Sequence, residues 1–470
     1  DFGKGTSSRS TKLVHGGVRY LEQGNVSLVM EALRERGILR RNAPHIVGEL
    51  PFCVPTYSWW EGPFYGLGLK LYQVLSGRYG FGPSTLLNRE ETQRRLPNVR
   101  ADGLTGGVVY YDGQFDDARL LLSLVATAAQ QGAVLCNYAR VTALTRGGDG
   151  FVHRVTVEDA ETGETFTTSA RVVINAGGPF ADQVRRLADP DVPAMLRPSQ
   201  GVHLVFDRSF LPGDHAILVP HSTDGRVMFA IPWHGHTLVG TTDTPLDAPS
   251  LEPRPSAEEV DFILATAGMY LERKPTRDDI LSQFAGIRPL VGAGDSSNTA
   301  ALSRDHTIQI DQNGLLTVTG GKWTTYRNMA EDCVDQAAIL ADLPERPCVT
   351  RDLNLHGYRA EKNGPLAVYG TDERRVRALA EERPELAARL DDALDICGAQ
   401  VVFAVREELA RTVEDVLSRR TRALLLNAAA AVRMAPRVAG LMAAERGRDA
   451  AWAAAPVAAF EALAAGYQVT

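Results

Sequence analysis

Two stretches of this 470-residue chain share one pattern: an apolar run, a pair of glycines, then a helix-forming run. The first is Arg171-Val172-Val173-Ile174-Asn175-Ala176-Gly177-Gly178-Pro179-Phe180-Ala181-Asp182. The second is Gly314-Leu315-Leu316-Thr317-Val318-Thr319-Gly320-Gly321-Lys322-Trp323-Thr324-Thr325-Tyr326-Arg327. A mostly apolar run reads as a buried strand, the glycines allow close backbone approach, and Pro179 suits a helix's first position. Such a junction aims free N–H groups and a positive dipole end at a crevice, a usual place for a nucleotide phosphate or a ring oxygen. Each junction alone is a weak signal, because many buried strand–helix turns look like this. Both carry polar residues.

A chain of this length exceeds one core and predicts two or three domains. The formal net charge of −7 argues against a nucleic-acid binder, which would carry a basic stripe. Cys53, Cys136, Cys333, Cys348 and Cys397 are odd in number and scattered, with no CxxC or zinc-type spacing. That pattern disfavours a disulfide framework and a structural metal and points to a reducing cytosol. No apolar run approaches the length of a membrane span, so only peripheral attachment stays open.

Taken in order, Asn25 to Arg41 reads as a helix capped by Asn25, with Leu28, Val29, Ala32 and Leu33 on one face. Pro51 to Pro83 is aromatic and apolar, and reads as packed substrate-domain structure or, more sharply, as a membrane-surface or quinone-facing segment. Gly106 to Asp117 is a strand running into a helix capped by Asp116 or Asp117 and stopped at Gly132. Strands follow at Val134 to Thr145, Phe151 to Asp159 and Thr165 to Ala176. Antiparallel strands between Gln200 and Gly240 predict a second domain with a ligand face. Beyond Leu355 the chain reads as a helical accessory domain, with helices at about Asp372 to Leu390, Val401 to Glu408, Thr421 to Ala444 and Ala450 to Ala465.

The densest polar stretch is Thr6 to Glu22, which crowds hydroxyls, three cations, a histidine and a glycine pair into one loop. Such a loop suits a backbone that wraps an anion or a polyfunctional ring; the plain alternative is a polar surface loop. Arg19, Arg288 and Lys322 are cations in apolar or glycine-rich contexts, which is costly unless an anion or an ion pair compensates them.

Ser7-Ser8-Arg9-Ser10-Thr11-Lys12-Leu13-Val14-His15-Gly16-Gly17-Val18-Arg19-Tyr20-Leu21-Glu22 resembles the flavin-contacting signature of FAD-dependent glycerol-3-phosphate dehydrogenases. So do Gly240-Thr241-Thr242-Asp243, Gly286-Ile287-Arg288-Pro289-Leu290 and the Gly320 to Arg327 run, in the same order, while Arg419 to Arg422 resembles the family's C-terminal domain. The resemblance implies an α/β protein: a doubly wound, D-amino-acid-oxidase-like FAD domain, an antiparallel-sheet substrate domain and a C-terminal helical domain. Residues 1–50, 106–199 and 300–345 would form the first, 51–105 and 200–299 the second, and 346–470 the third. The reaction implied is oxidation of sn-glycerol 3-phosphate to dihydroxyacetone phosphate, with electrons passing through FAD to a membrane quinone from a peripheral position on the cytoplasmic membrane face. A homodimer stays open.

By the same resemblance, FAD would be held by Ser7, Ser8, Arg9, Ser10, Lys12, His15, Gly16, Gly17, Val141, Ala176, Gly177, Pro179, Gly320, Gly321, Lys322, Trp323 and Thr324. His203 would take the hydroxyl proton or bond the group that does. Arg19 and Arg288 would hold phosphate or developing alkoxide, Tyr20 would orient the substrate, and Lys322 would stand near the isoalloxazine and reach the substrate as well. Relatives often read Asn-Ala-Thr-Gly-Pro-Trp where this chain has Asn175-Ala176-Gly177-Gly178-Pro179-Phe180, which drops one hydroxyl near the flavin. The family's pyrophosphate-binding βαβ unit would precede Asp1, so the chain reads as a fragment or a mis-called start. Two alternatives accompany this reading: a glycerol-3-phosphate oxidase that reduces oxygen, and an inactive remnant.

Overall fold

Side-chain caps set several of the helix starts. The computed structural model describes residues 1–17, 25–219, 227–292, 306–361 and 364–469. After the short strand β1 (Leu13–Val14), Asn25 accepts the Leu28 N–H and opens α1 (Val26–Asn42), close to the expected span. Then come β2 (Val47–Thr56), α2 (Glu61–Ser76), β3 (Thr85–Asn88) and α3 (Arg89–Arg95). β4 (Gly106–Phe115) feeds α4 (Asp117–Gln130), whose cap is Asp116 on the Arg119 N–H. Gly132, at φ +90°, takes the chain out of that helix.

β5 (Ala139–Arg146), β6 (Val152–Asp159) and β7 (Thr165–Ser169) form a separate antiparallel sheet. The strand expected over Thr165 to Ala176 is broken after β7. It resumes only as β8 (Ile174–Asn175), where Asn175 is buried but Ile174 is 42% exposed. The reason is position: among the described residues β8 is an edge strand, paired on one side only. α5 (Ala181–Ala188) follows its glycine turn, with Pro179 in a short 3-10 turn ahead of it.

The chain then builds β9 (Leu196–Asp207), β10 (Ala216–Val219), β11 (Met228–Trp233), β12 (His236–Gly240) and β13 (Thr244–Pro245). α6 (Ala257–Tyr270) starts at a Ser256–Glu259 capping box, and β14 (Ile280–Val291) returns along β9. These strands join β1, β2 and β4 in one sheet of order β1-β4-β2-β10-β11-β12-β9-β13, with β14 also on β9 and β3 on β4. β4 thus shares a layer with β9 and β14. The β9/β14 register is antiparallel and sets Ser199 opposite Arg288, Gly201 opposite Gly286, and His203 opposite Phe284. β15 (His306–Ile310) and β16 (Leu316–Gly320) complete the sheet of β8, with β16 parallel to β8, before α7 (Tyr326–Leu340).

The C-terminal part holds α8 (Glu373–Glu382), a hairpin of β17 (Arg389–Asp391) and β18 (Leu394–Cys397), α9 (Gly398–Glu407), α10 (Ala423–Leu426), α11 (Ala428–Glu445) and α12 (Ala454–Ala464). The first of these helices stops well before Leu390, because the residue ahead of Pro384 disfavours helical backbone. The helix expected over Thr421 to Ala444 is interrupted at Asn427, which leaves the helix to cap α11 through the Ala430 N–H.

Between α9 and α10 lies a π-helical turn, Asp415–Arg420, that is buried throughout. Arg419 donates to Glu414 at 2.6 Å, to Asp415 at 2.5 Å and to the Asp1 side chain at 2.6 Å, and Arg420 bonds the same Asp1 carboxylate. Buried arginines survive only with such partners, and removing one member leaves charge uncompensated. Asp415→Ala is therefore expected to lower unfolding stability by about 3–5 kcal/mol. Urea denaturation would record this as a lower midpoint at unchanged slope.

Candidate active site

The opening loop is stitched across β14 and the start of α7. The Thr6 hydroxyl donates to the Ile287 carbonyl at 2.6 Å, and the Trp323 indole N–H donates to the Ser7 carbonyl at 3.0 Å. The His15 N–H reaches the Thr324 hydroxyl at 3.2 Å, and the Gly16 N–H reaches the Tyr72 hydroxyl at 2.8 Å. Gly286 makes this approach possible: a Cβ there would stand 2.7 Å from the Arg9 carbonyl oxygen. A small cleft bordered by Thr6, Arg9, Pro179, Phe180 and Ile287 shows the Gly177–Pro179 turn meeting the same loop.

Most polar side chains of the loop are engaged within the protein. Arg9 grips the Glu252 carboxylate at 2.8 and 2.9 Å and the Tyr467 hydroxyl at 3.1 Å. Lys12 is fully buried and donates to Asp117 at 2.8 and 2.9 Å and to the Ser8 carbonyl at 2.7 Å. The Ser8 hydroxyl donates to the Gly3 carbonyl, and Ser10 bonds Asp117 through both its N–H and its hydroxyl. These bonds fix the path of the loop.

The glycine junctions hold left-handed backbone at Gly178 (φ +54°), Gly320 (φ +77°) and Gly321 (φ +68°). At Gly321 a Cβ would also stand 2.4 Å from the Met329 sulfur. Lys322 caps the short turn Trp323–Thr325 ahead of α7. Ala176 is exposed beside β8, and Val141 stands on β5 in the separate three-stranded sheet. Arg19 and Tyr20 lie outside the described residues.

His203 sits at the middle of β9, 2% exposed, stacked on Phe284 with ring centroids 5.1 Å apart and planes 18° from parallel. Its Nε2 lies 2.9 Å from the Thr11 hydroxyl, and its Nδ1 has no hydrogen bond among the described residues. Burial above all, then the nearby cations Lys12 and Arg288, pushes the imidazole well below its ordinary value of 6.5, so the ring is neutral near pH 7. In the tautomer whose Nε2–H donates to the Thr11 hydroxyl, Nδ1 carries the lone pair and can take a proton.

Arg288 is braced from several sides. It donates to Asp243 at 3.2 Å, and to the Thr241 hydroxyl and the Thr242 carbonyl, each at 3.1 Å. A Cβ at Gly201 would stand 2.5 Å from the Arg288 guanidinium and 2.6 Å from the Thr241 hydroxyl, so a side chain there would displace this brace. Asp243 in turn accepts the Ser199 hydroxyl. The brace on Arg288 and the contacts of Thr11 and Phe284 with His203 were not foreseen from sequence. The Gly240 to Asp243 run carried a family resemblance without a role, and cross-strand partners become visible only once register is known.

A model of FAD-dependent oxidoreductases matches residues 1–327, and one described as the C-terminal domain of alpha-glycerophosphate oxidase matches residues 315–453. The chain is 39% identical to the human mitochondrial glycerol-3-phosphate dehydrogenase, over 96% of this chain and 66% of that protein. It therefore spans about two thirds of the length of that relative. A mitochondrial glycerol-3-phosphate dehydrogenase of Arabidopsis thaliana is 38% identical, over 96% of this chain and 78% of its own length. Among solved structures, glycerol-3-phosphate dehydrogenase from Bacillus halodurans, complexed with FAD, superposes with a TM-score of 0.80 at 30% identity, covering 100% of this chain and 89% of its own. The fold and site define an FAD-dependent oxidoreductase of the D-amino-acid-oxidase type. Within that class, the chain belongs to the glycerol-3-phosphate dehydrogenase family.

The family's cofactor is FAD. The residues fit it: the Thr319 hydroxyl is a buried polar atom without a hydrogen bond among the described residues, beside Gly320 and Gly321 in left-handed backbone. A ring edged with carbonyl oxygens and an N–H can satisfy such a group. Gly321→Ala would force an L-residue into left-handed backbone and its methyl into Met329. Thermal unfolding should show a loss of about 1–2 kcal/mol from the backbone alone, and the purified protein should carry less flavin.

Proposed function

We propose that this protein oxidises sn-glycerol 3-phosphate to dihydroxyacetone phosphate and passes the electrons to a membrane quinone. The observation that carries this reading is a buried, neutral imidazole whose Nδ1 has no hydrogen bond among the described residues, three residues along the same strand from Gln200, whose carbonyl accepts from Arg288 at 3.4 Å. FAD supplies hydride acceptance from the carbinol carbon. The protein supplies the rest. The backbone of Ser7 to Gly17, the Ala176 to Pro179 turn and the Gly320 to Thr324 turn hold the cofactor. His203 takes the hydroxyl proton at Nδ1 as the carbon–hydrogen bond breaks. Arg288 holds phosphate or the developing alkoxide with its fork, joined by Arg19 and Tyr20, and Lys322 stands at the helix start where it stabilises negative charge.

The acceptor reading draws support from α2. Trp59 (85% exposed), Phe64, Leu67 (78%), Leu71 and Val74 (70%) lie open on one side of this helix and its approach, with Lys70 and Arg78 also exposed. An apolar helix face with flanking cations suits the interface of an anionic bilayer, where a quinone is reached. No helix among the described residues is long and apolar enough to cross a membrane, so contact would be peripheral.

Three measurements test the proposal. Glycerol 3-phosphate should bleach the visible flavin band of the purified chain and reduce an added quinone; peroxide formed in step with substrate would favour the oxidase instead. Arg288→Leu should lower kcat/KM by roughly 10²–10³-fold with flavin retained, and undiminished turnover would remove its assigned role. Leu67→Glu with Val74→Glu should abolish flotation with anionic vesicles without altering flavin content; unchanged flotation would exclude α2 as the contact.

A further inference from the structure

The contacts around His203 single out a residue that the proposed reaction does not use directly. Lys12 lies fully buried on Asp117, with its Nζ 4.9 Å from the Trp233 ring centroid and 5.3 Å from that of Phe284. Phe284 is the cross-strand partner of His203 and its stacking partner as well. The residue before Lys12, Thr11, is the one that bonds His203 Nε2. Two consecutive residues of the opening loop therefore border this stacked pair, the first by a hydrogen bond to the imidazole and the second by an ammonium 5.3 Å from the Phe284 ring centroid.

A buried lysine–aspartate pair is poorly explained by stability alone, because well-packed apolar residues commonly serve as well or better. A charge kept at such cost beside a titratable ring has an electrostatic consequence: a buried cation opposes a second positive charge nearby. The groups around His203 are few. Its neighbour β12 presents Gly240, β14 presents Phe284 and, further along, Arg288 with Asp243, and the loop presents Thr11 and Lys12 with Asp117. Asp116 and Arg422 lie beyond Lys12. The nearest charges are both cations, and each is held by its own carboxylate.

We propose that Lys12, seated on Asp117 with its ammonium against the Phe284 ring on which His203 stacks, is a positioning residue that adds to burial in keeping His203 neutral, while Thr11 holds the ring through Nε2. This rests on His203 being the proton acceptor of the proposed reaction. Lys12 touches neither substrate nor reacting atoms.

The test is an imidazole NMR titration of the flavin-loaded full chain, with His203 assigned through His203→Asn, beside the pH dependence of kcat/KM. In the unaltered protein His203 should stay neutral to well below 6.5, the ordinary value. The double variant Lys12→Met with Asp117→Asn, which leaves no bare carboxylate, should raise the His203 midpoint by roughly one pH unit, and the acid limb of kcat/KM should rise with it. Lys12→Arg keeps the cation and should leave both in place. Should the double variant not fold, Lys12→Gln, whose amide still reaches Asp117, carries the same expectation. A His203 midpoint unmoved in a folded variant overturns the proposal. A midpoint that moves while the kcat/KM limb stays put upholds the coupling of Lys12 to His203 and instead removes His203 as the proton acceptor.

Discussion

Two adjacent carboxylates at the start of α4 hold the molecule's three parts together. Asp117 takes the ammonium of Lys12 and both donors of Ser10, which anchors the opening loop. Asp116 caps the helix, accepts His234 from the β11–β12 hairpin of the large sheet at 2.8 Å, and pairs with Arg422 of the C-terminal part at 3.0 Å. Burial alone would protonate such a residue. Arg422 and His234 more than reverse that and hold the Asp116 carboxyl far below the usual carboxylate range. The helix dipole adds in the same direction.

The site inherits its geometry from that anchor. Once the loop is fixed on Asp117, Thr11 falls against His203 and Lys12 against Phe284, while Thr6 and Ser7 reach β14 and α7. The β9/β14 register does the remainder, because antiparallel pairing sets His203 on Phe284 and brings Arg288 over Gly201. A slip of one residue would turn His203 to the other face of the sheet.

How much was legible from sequence depended on how local the cause was. The helix at Val26 followed from Asn25, and the one at Asp117 from the Asp116–Asp117 pair, since a cap acts within three residues. The antiparallel strands from Gln200 to Gly240 followed from alternation and turn residues. The apolar run before Gly177 misled, because composition does not reveal that a strand lies at a sheet edge. The charged residues of the opening loop illustrate the other limit. Arg9 and Lys12 attract attention as ligand contacts, yet their partners Glu252 and Asp117 lie 243 and 105 residues away, beyond any local pattern. The run Arg419 to Arg422 was visible as a resemblance, but the pairing of Arg420 with Asp1 and of Arg422 with Asp116 was not, for the same reason.

The bond between Arg9 and Tyr467 joins residues 458 positions apart. Contacts so distant in sequence carry a large loop-closure cost and form late in folding. During synthesis the opening loop therefore emerges 458 residues ahead of the tyrosine that completes its grip on Glu252. At ribosomal speeds that interval is on the order of tens of seconds. The opening loop thus reaches its final order only after the segment holding Tyr467 has been made, and a change at Tyr467 acts on the rate at which that loop sets.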